Sequence, residues 1–236
     1  MNKMKIMWGI TGAGHLLKES INVLNKLSKK HEITIIFSNA GLEVVKLYGY
    51  YKKIEKIIKQ NPNNRLILED DQKYSYPLSG KLTHQKYDLI IISPTTANTT
   101  AKIVHGIADT LITNVVAQPG KGQIPLIIVP VDQKQGLIKT TLPPRIDKDI
   151  CKRCKMCMAK QICPTKAFNP PEIDTSKCIR CMECEGCCMH NAIISNEIME
   201  LYIRKIDADN TKKLEEIENI TTLFHPEEIL NDERIN

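Results

Sequence analysis

The chain has 236 residues, 42% of them hydrophobic and 25% charged, which excludes a disordered chain and allows one large domain or two unequal ones. Its formal charge of +6 would ordinarily suggest nucleic acid or an acidic partner. That count treats nine cysteines as neutral, yet all nine lie between Cys151 and Cys188, a confinement that suggests a local cysteine-bound cofactor and not a disulfide scaffold. No segment approaches the roughly 18 apolar residues of a membrane span, and the apolar run that follows Lys5 is too short for a signal-peptide core. The expectation is a soluble cytoplasmic protein, with no nucleic acid and no membrane among its partners.

The first 146 residues alternate strand and helix patterns. Residues 6–10 read as a buried strand, 16–27 as an amphipathic helix, 33–37 as a second strand and 44–58 as a second helix. Asn61-Pro62-Asn63-Asn64 is a stop signal. Residues 88–93 and 125–130 are further apolar strands, and 97–117 is helical with a break near Gly106. Strands buried on both faces and separated by helices predict a Rossmann-like parallel sheet flanked by helices, an α/β fold. The composition changes at Pro143-Pro144 to cysteine, proline and basic residues, and changes back after Ala192. The tail then resumes with a strand at 199–206, a helix at 210–217, a strand at 220–224 and a short helix at 226–230. This divides the chain into a first part (1–146), an inserted cysteine module (147–196) and a return to the α/β domain (197–236).

The insertion is an internal repeat of period 27: Cys151-x2-Cys154-x2-Cys157 recurs as Cys178-x2-Cys181-x2-Cys184. Each run is followed by another cysteine, at Cys163-Pro164 and Cys188-Met189. This resembles the two-cluster bacterial ferredoxin pattern, in which each fourth cysteine ligates the other cluster. Three thiolates on a tight loop grip one face of a cubane, and the fourth corner needs a distant residue. The expected ligands are Cys151, Cys154, Cys157 and Cys188 for one 4Fe-4S cluster, and Cys178, Cys181, Cys184 and Cys163 for the other. Five residues instead of three separate Cys157 from Cys163, and Met189 stands where proline is usual. Cys187 is a ninth thiol; the spacing from Cys184 favours Cys188, with Cys187 as the alternative. Paired zinc sites are the competing reading, but zinc has no use for a third evenly spaced cysteine twice over.

Gly9-Ile10-Thr11-Gly12-Ala13-Gly14-His15 joins the first strand to the first helix, where backbone N–H groups can face an anion. The glycines do not match the dinucleotide fingerprint, and the second strand ends in Ser38-Asn39 where a ribose-binding acid would stand. NAD is disfavoured and a single-phosphate ligand such as FMN fits. Ser93-Pro94-Thr95-Thr96-Ala97-Asn98-Thr99-Thr100 gathers five hydroxyls and an amide at another strand end, more than an ordinary helix cap uses.

Gly9 to Ala13, the Pro-x-x-Ala-Asn-Thr run at Pro94 to Thr99, and Gly106-Ile107-Ala108-Asp109 resemble the homo-oligomeric FMN proteins of the cysteine-decarboxylase and flavin-prenyltransferase superfamily. With the ferredoxin-like insertion, the whole chain resembles the archaeal dihydromethanopterin reductase (acceptor) and archaeoflavoprotein group. The resemblance implies FMN at a subunit contact in a trimer-based homo-oligomer. It implies FMN contacts at Thr11, Gly12, Ala13, Gly14, Ser38, Asn39, Thr95, Thr96, Ala97, Asn98 and Thr99. It further implies electron flow from a ferredoxin-type donor through the clusters to FMN, and then to the pterin 7,8-dihydromethanopterin. A flavo-ferredoxin that only relays electrons is the alternative, with FMN-dependent decarboxylation a more distant one. The sequence departs from the decarboxylases at Pro130-Val131-Asp132-Gln133, which lacks their Met, Asn and Trp. It departs from the prenyltransferases by offering Lys121, Lys134 and Lys139 but no Arg between Arg65 and Arg145.

Other residues have plainer readings. His15 is either a phosphate contact or a solvent-facing histidine, and His105 reads as a packed histidine. Tyr48, Tyr50, Tyr51, Tyr74 and Tyr76 read as half-buried side chains, and Asp109 as a local hydrogen-bonding residue. Lys52, Lys53 and Lys56 read as a solvated helix face, with docking of an acidic ferredoxin as the lesser reading. No residue stands out as a catalytic acid.

Overall fold

The computed structural model describes residues 3–72, 78, 87–118 and 124–235; Tyr74, Tyr76 and Lys121 lie outside the described residues. Its centre is a parallel sheet of six strands: β1 (Lys5–Ile10), β2 (Glu32–Phe37), β3 (Arg65–Leu68), β4 (Leu89–Thr95), β5 (Leu126–Pro130) and β12 (Ile220–Thr222). Their spatial order is β12-β5-β4-β1-β2-β3. Every residue of β4 is buried, as expected of a central strand covered on both faces.

The two-residue period of each strand sorts the core into two layers. Ile6, Trp8, Ile35, Phe37, Ile91 and Ile127 face α1 (Leu17–Leu27) and α3 (Tyr51–Lys59). Met7, Ile36, Ile90, Ile92 and Ile128 face the other way, onto α5 (Leu111–Ala117) and Leu214. Residues 97–117 divide into α4 (Ala97–Val104) and α5, with Gly106 at φ +69 between them. The helix expected at 44–58 is instead α2 (Asn39–Leu47) and α3, parted by Gly49 at φ +72. A left-handed residue ends α2, and glycine adopts that conformation at no steric cost.

The tail also differs from expectation. β11 (Ile198–Ile203) does not join the sheet; it pairs antiparallel with β6 (Gly136–Thr141), a strand with no apolar pattern to announce it. This ribbon leaves Leu137, Ile198, Leu201 and Tyr202 exposed. α8 (Lys205–Leu214) begins earlier than the expected helix and packs on α4, after which β12 adds to β5.

Between the ribbon strands the chain forms short elements: β7 (Arg145–Ile146) pairs with β10 (Ile193–Ile194), and β8 (Phe168–Asn169) with β9 (Glu172–Ile173). Helices α6 (Met158–Ile162) and α7 (Glu183–Gly186) lie between them. Ile146, Ala159, Phe168, Ala192 and Ile193 form a small core separate from the two sheet layers.

One close approach fixes the edge of the sheet where the loops gather. A Cβ added at Gly41 would stand 2.2 Å from the Ile10 carbonyl oxygen, a backbone atom that cannot swing aside. Alanine's better helix propensity, about 1 kcal/mol, would not offset that overlap. Gly41→Ala is expected to destabilise by at least about 2 kcal/mol, lowering Tm by roughly 4–8 °C. An unchanged melting curve would refute this account of the α2–β1 contact.

Candidate functional site

The loops that follow β1, β2, β4 and β5 meet at the C-terminal edge of the sheet, where parallel α/β proteins place ligands. Thr11 is buried and ties two of them: its Oγ1 donates to the Pro94 carbonyl at 2.8 Å and accepts from the Thr96 N–H at 2.9 Å. The Val131 N–H donates to the Thr95 carbonyl at 3.0 Å, which brings in the loop after β5. Gly12 touches the start of α2 so closely that a Cβ there would stand 2.7 Å from the Ala40 Cβ. At Gly14 a Cβ would overlap the Tyr48 hydroxyl at 2.1 Å. Bare backbone is therefore required at Gly12, and at Gly14 an added Cβ would first have to displace the Tyr48 ring.

The structure thus brings Thr11, Gly12, Ala13 and Gly14 beside Ser38, and beside Thr95 and Thr96. It also shows what some of these groups already do. Ser38 Oγ accepts from the Gly41 N–H at 3.1 Å and caps α2. Thr96 Oγ1 accepts from the Thr99 N–H at 3.2 Å and caps α4, while Asn98 is exposed in the first turn. The Asn39 N–H is engaged by Glu69, whose second carboxylate oxygen accepts from the Leu111 N–H. Glu69 therefore clamps the starts of α2 and α5, a role invisible in sequence because its partners are 30 and 42 residues away.

Asp132 is the other residue missed in sequence, although an acid directly after an apolar strand is a visible signal. Its carboxylate accepts from the Ala97 N–H at the start of α4, and its carbonyl accepts from Thr211 Oγ1 at 2.8 Å. Burial and the nearby Asp207 hold the Asp132 carboxyl above the usual carboxylate range. His15, half-buried at the end of the glycine turn, is held below the ordinary histidine range by burial, against the pull of Glu19 and Asp132. His105 is exposed beyond the end of α4, not packed as its apolar neighbours suggested. Asp109 forms an ion pair with Lys102 at 2.8 Å.

The cysteines gather around the small core. Cys151, Cys157, Cys163, Cys184 and Cys188 all pack on it, and Cys188 Sγ accepts from the Ala192 N–H at 3.4 Å. Cys163 lies close enough to the second run for its charge to act on Cys178 and Cys184. Burial first, and then Cys178, Cys181 and Cys163, push the Cys184 thiol up to about 11. Cys178 is raised by burial and by Cys163 and Cys181, although Arg180 N–H donates to its sulfur at 3.4 Å. Cys163 itself falls below the usual thiol range despite burial, through N–H donors at Phe168 and Ala167 and the Thr165 hydroxyl. Among the described residues, no three His, Cys, Asp or Glu side chains are arranged to hold a single metal ion. A cubane carries its irons at separate corners, so its thiolates stand farther apart than the donors around one zinc.

The two sites meet at Arg180. Its guanidinium lies 6.0 Å from the Tyr48 ring centroid and 5.4 Å from that of Tyr50, and its Nη2 donates to the Ser195 carbonyl at 3.0 Å. Gly49 faces Cys178 and Arg180 so closely that an added Cβ would meet both at 3.3–3.4 Å. Beside this joint opens a cleft of about 890 Å³, lined by His15, Lys18, Lys53, Lys56, Lys139 and Arg180 among others. Within it Lys52 pairs with Glu55 at 2.9 Å and Lys53 donates to Asn22 at 2.7 Å.

A parallel α/β sheet with a bare glycine turn and a hydroxyl-rich second turn at its C-terminal edge defines a flavoprotein-type scaffold. The chain belongs to the Flavoprotein family, whose model matches residues 1–140. It is 48% identical to a dihydromethanopterin reductase (acceptor) of Methanocaldococcus jannaschii, over 96% of this chain and 94% of the relative. It is 36% identical to the protein of the same name from Methanosarcina mazei, over 98% of this chain and 99% of the relative. Among solved structures it is similar to Burkholderia xenovorans DmrB in complex with FMN, described as a cubic protein cage for redox transfer. That match has a TM-score of 0.63 and 26% identity, over 97% of this chain and 92% of that chain. No helix among the described residues is long and apolar enough to cross a membrane.

The Asp132 environment makes a signed prediction. A carboxyl whose folded pKa is raised adds stability below its unfolded pKa and loses it as pH rises through the folded value. Asp132→Asn keeps an acceptor for the Ala97 N–H without the charge. The variant is expected to melt with the wild type near pH 3 and increasingly above it as pH rises. A variant that is less stable at every pH would show that the charge itself holds the loop.

Proposed function

We propose that this chain is an iron–sulfur flavoprotein oxidoreductase. It would take electrons from a reduced ferredoxin-type donor, by way of two 4Fe-4S clusters and FMN, and deliver them to 7,8-dihydromethanopterin, giving tetrahydromethanopterin. The observation that carries the reading is the joint between the two sites. The second cysteine run and the glycine turn are connected by a short series of neighbours, Cys178 beside Gly49, Arg180 over the Tyr48 ring and Tyr48 against Gly14. Near-full-length similarity to reductases of that name supports the acceptor.

The residues present fit both cofactors. The turn from Thr11 to Gly14, with Ser38, Asn39 and Thr95 to Thr99, supplies short side chains, hydroxyls and the start of α4, as a phosphate-bearing flavin requires. Cys151, Cys154, Cys157 and Cys188 would hold one cluster, and Cys163, Cys178, Cys181 and Cys184 the other. Cys188 is preferred to Cys187 because it packs on the small core with Cys151 and Cys157. When bound, the clusters move single electrons and the flavin pairs them for transfer to an organic acceptor. The chain's contribution is positional. The Thr11 hydrogen bonds fix the strand ends, Glu69 fixes two helix starts, and Arg180 fixes the distance between the sites. Residues 147–196 act as the cluster module, inserted in a flavin domain formed by 1–146 and 197–236. The likeness to a protein that forms a cage supports a homo-oligomer built from trimers, with the exposed β6–β11 ribbon available for contact.

Iron and sulfide analysis of the anaerobically purified protein should give about eight of each per chain. Cys188→Ser should lose about half of that iron and Cys187→Ser almost none; the reverse would exchange their roles. Photoreduced protein should reduce dihydromethanopterin stoichiometrically with its flavin. A fully reduced flavin that leaves the pterin untouched would sink the reductase reading and leave an electron carrier.

A further inference from the structure

The two ends of the cysteine region differ in what they face. The second run is turned toward the sheet, with Gly49 against Cys178 and Arg180 over the rings of Tyr48 and Tyr50. That run also exposes Cys181, with Ile179 at 45% and Met189 at 79%, but the first run gathers more exposed apolar groups. Met156 is 74% exposed and Met158 50%, with Ile150 and Ile162 at 41% and 40%. Met158 and Ile162 stand one turn apart on α6, and so share a face. Around them Lys148, Lys152, Arg153, Lys155, Lys160 and Lys166 are all exposed, and Asp149 is the single acid between residues 148 and 166. Two of these cations have local partners, Lys148 with Glu172 at 3.5 Å and Lys160 with Asn169 at 3.2 Å. Residues 178–190 carry the opposite balance: Glu183 and Glu185 against Arg180, whose charge is turned inward.

An exposed apolar centre with a basic rim suits a partner that arrives by electrostatic attraction and seats on a small dry contact. We propose that the face formed by the first cysteine run and α6 is the landing site of a small acidic iron–sulfur carrier protein, and that electrons pass from this run to the second and leave across the Arg180–Tyr48 joint. The proposal rests on the cluster reading given under Proposed function. Each encounter transfers one electron, oxidising the carrier and reducing this chain, with no bond made or broken. Two encounters supply the electron pair that the acceptor consumes together with protons from water. The lysines of α3 form a different basic group and serve as the control: they line the cleft beside Arg180, where Lys52 is paired with Glu55 and Lys53 donates to Asn22.

The test is stopped-flow reduction of the full-length, iron-loaded protein by a reduced acidic two-cluster ferredoxin, followed by flavin bleaching. Lys152→Glu/Lys155→Glu is expected to slow the second-order rate about tenfold or more at low salt, with the difference closing as salt is raised. Iron content and the cluster absorption should stay at the wild-type level. If that pair loses iron, Lys148→Glu/Lys160→Glu, outside the ligand run, reports on the same face. Lys56→Glu on α3 should leave the rate unchanged. Arg180→Ala should instead lower the limiting rate at saturating carrier, with the salt dependence retained. A wild-type rate in both charge-reversed pairs, or a loss confined to Lys56→Glu, overturns the landing site and leaves the cluster reading standing. A wild-type chain free of iron overturns the cluster reading and the landing site together.

Discussion

Arg180 is the contact on which the arrangement depends. It follows the first cysteine of the second run by two residues, yet its guanidinium lies over two tyrosine rings of the loop between α2 and α3. A planar cation over aromatic faces, with one N–H group given to the Ser195 carbonyl, is satisfied without a carboxylate partner. Lysine could not reproduce that geometry, because its charge is a point and not a plane. The rest of the joint follows from small residues on the opposite side. Gly49 admits Cys178, and Gly14 admits the Tyr48 hydroxyl. Absent side chains therefore set the spacing between the cysteine region and the glycine turn, with a cation holding the contact closed.

The C-terminal edge of the sheet is organised by the same economy. One buried hydroxyl, Thr11 Oγ1, serves as donor to one strand end and acceptor from the next helix. Two carboxylates, Glu69 and Asp132, take up N–H groups at the starts of three helices. Carboxylates at helix starts are favourably placed against the helix dipole, which offsets part of the burial that raises Asp132. His15 lies close enough to Asp132 to feel its charge, but burial dominates and keeps the imidazole below its ordinary range. The edge thus presents neutral hydroxyls and N–H groups to a ligand, with its acids already engaged.

The parallel sheet was legible because its strands are covered on both faces, so residues 6–10, 33–37, 88–93 and 125–130 read as unbroken apolar runs. The cysteine pattern was legible for a different reason, since ligand chemistry constrains spacing directly. What escaped the sequence was decided by distant partners. The break at Gly49 is the exception, since the left-handed glycine closes α2 through local bonds from the Tyr50 and Gly49 N–H groups; what lay hidden was the room it leaves for Cys178 and Arg180, about 130 residues further on. The β6–β11 ribbon buries little beyond Thr140 and Ile203, so neither strand carries a strong apolar alternation, and residues 199–206 read as a sheet strand on propensity alone. Glu69, Asp132 and the inward turn of Arg180 depend on where loops meet, which no local pattern records.

The charge of +6 takes on a local meaning once it is placed. Two clusters with their thiolates and an FMN phosphate would together bring roughly −6, so the loaded chain would be near neutral overall. Net charge does not govern the approach of a partner, because at physiological ionic strength the field of an exposed group fades within about 8 Å. What an arriving protein meets is the nearest surface. Over the first cysteine run that surface holds six cations against Asp149 and Glu172, the latter paired with Lys148, whereas the second run keeps Arg180 against the Tyr48 and Tyr50 rings and has Glu183 outward and Glu185 bonded to Ser195. A chain that is neutral in sum can therefore be basic locally, both over the first cysteine run and in the cleft lined by Arg180 and the lysines of α3, and the first of these sets its cations around the exposed Met156 and Met158.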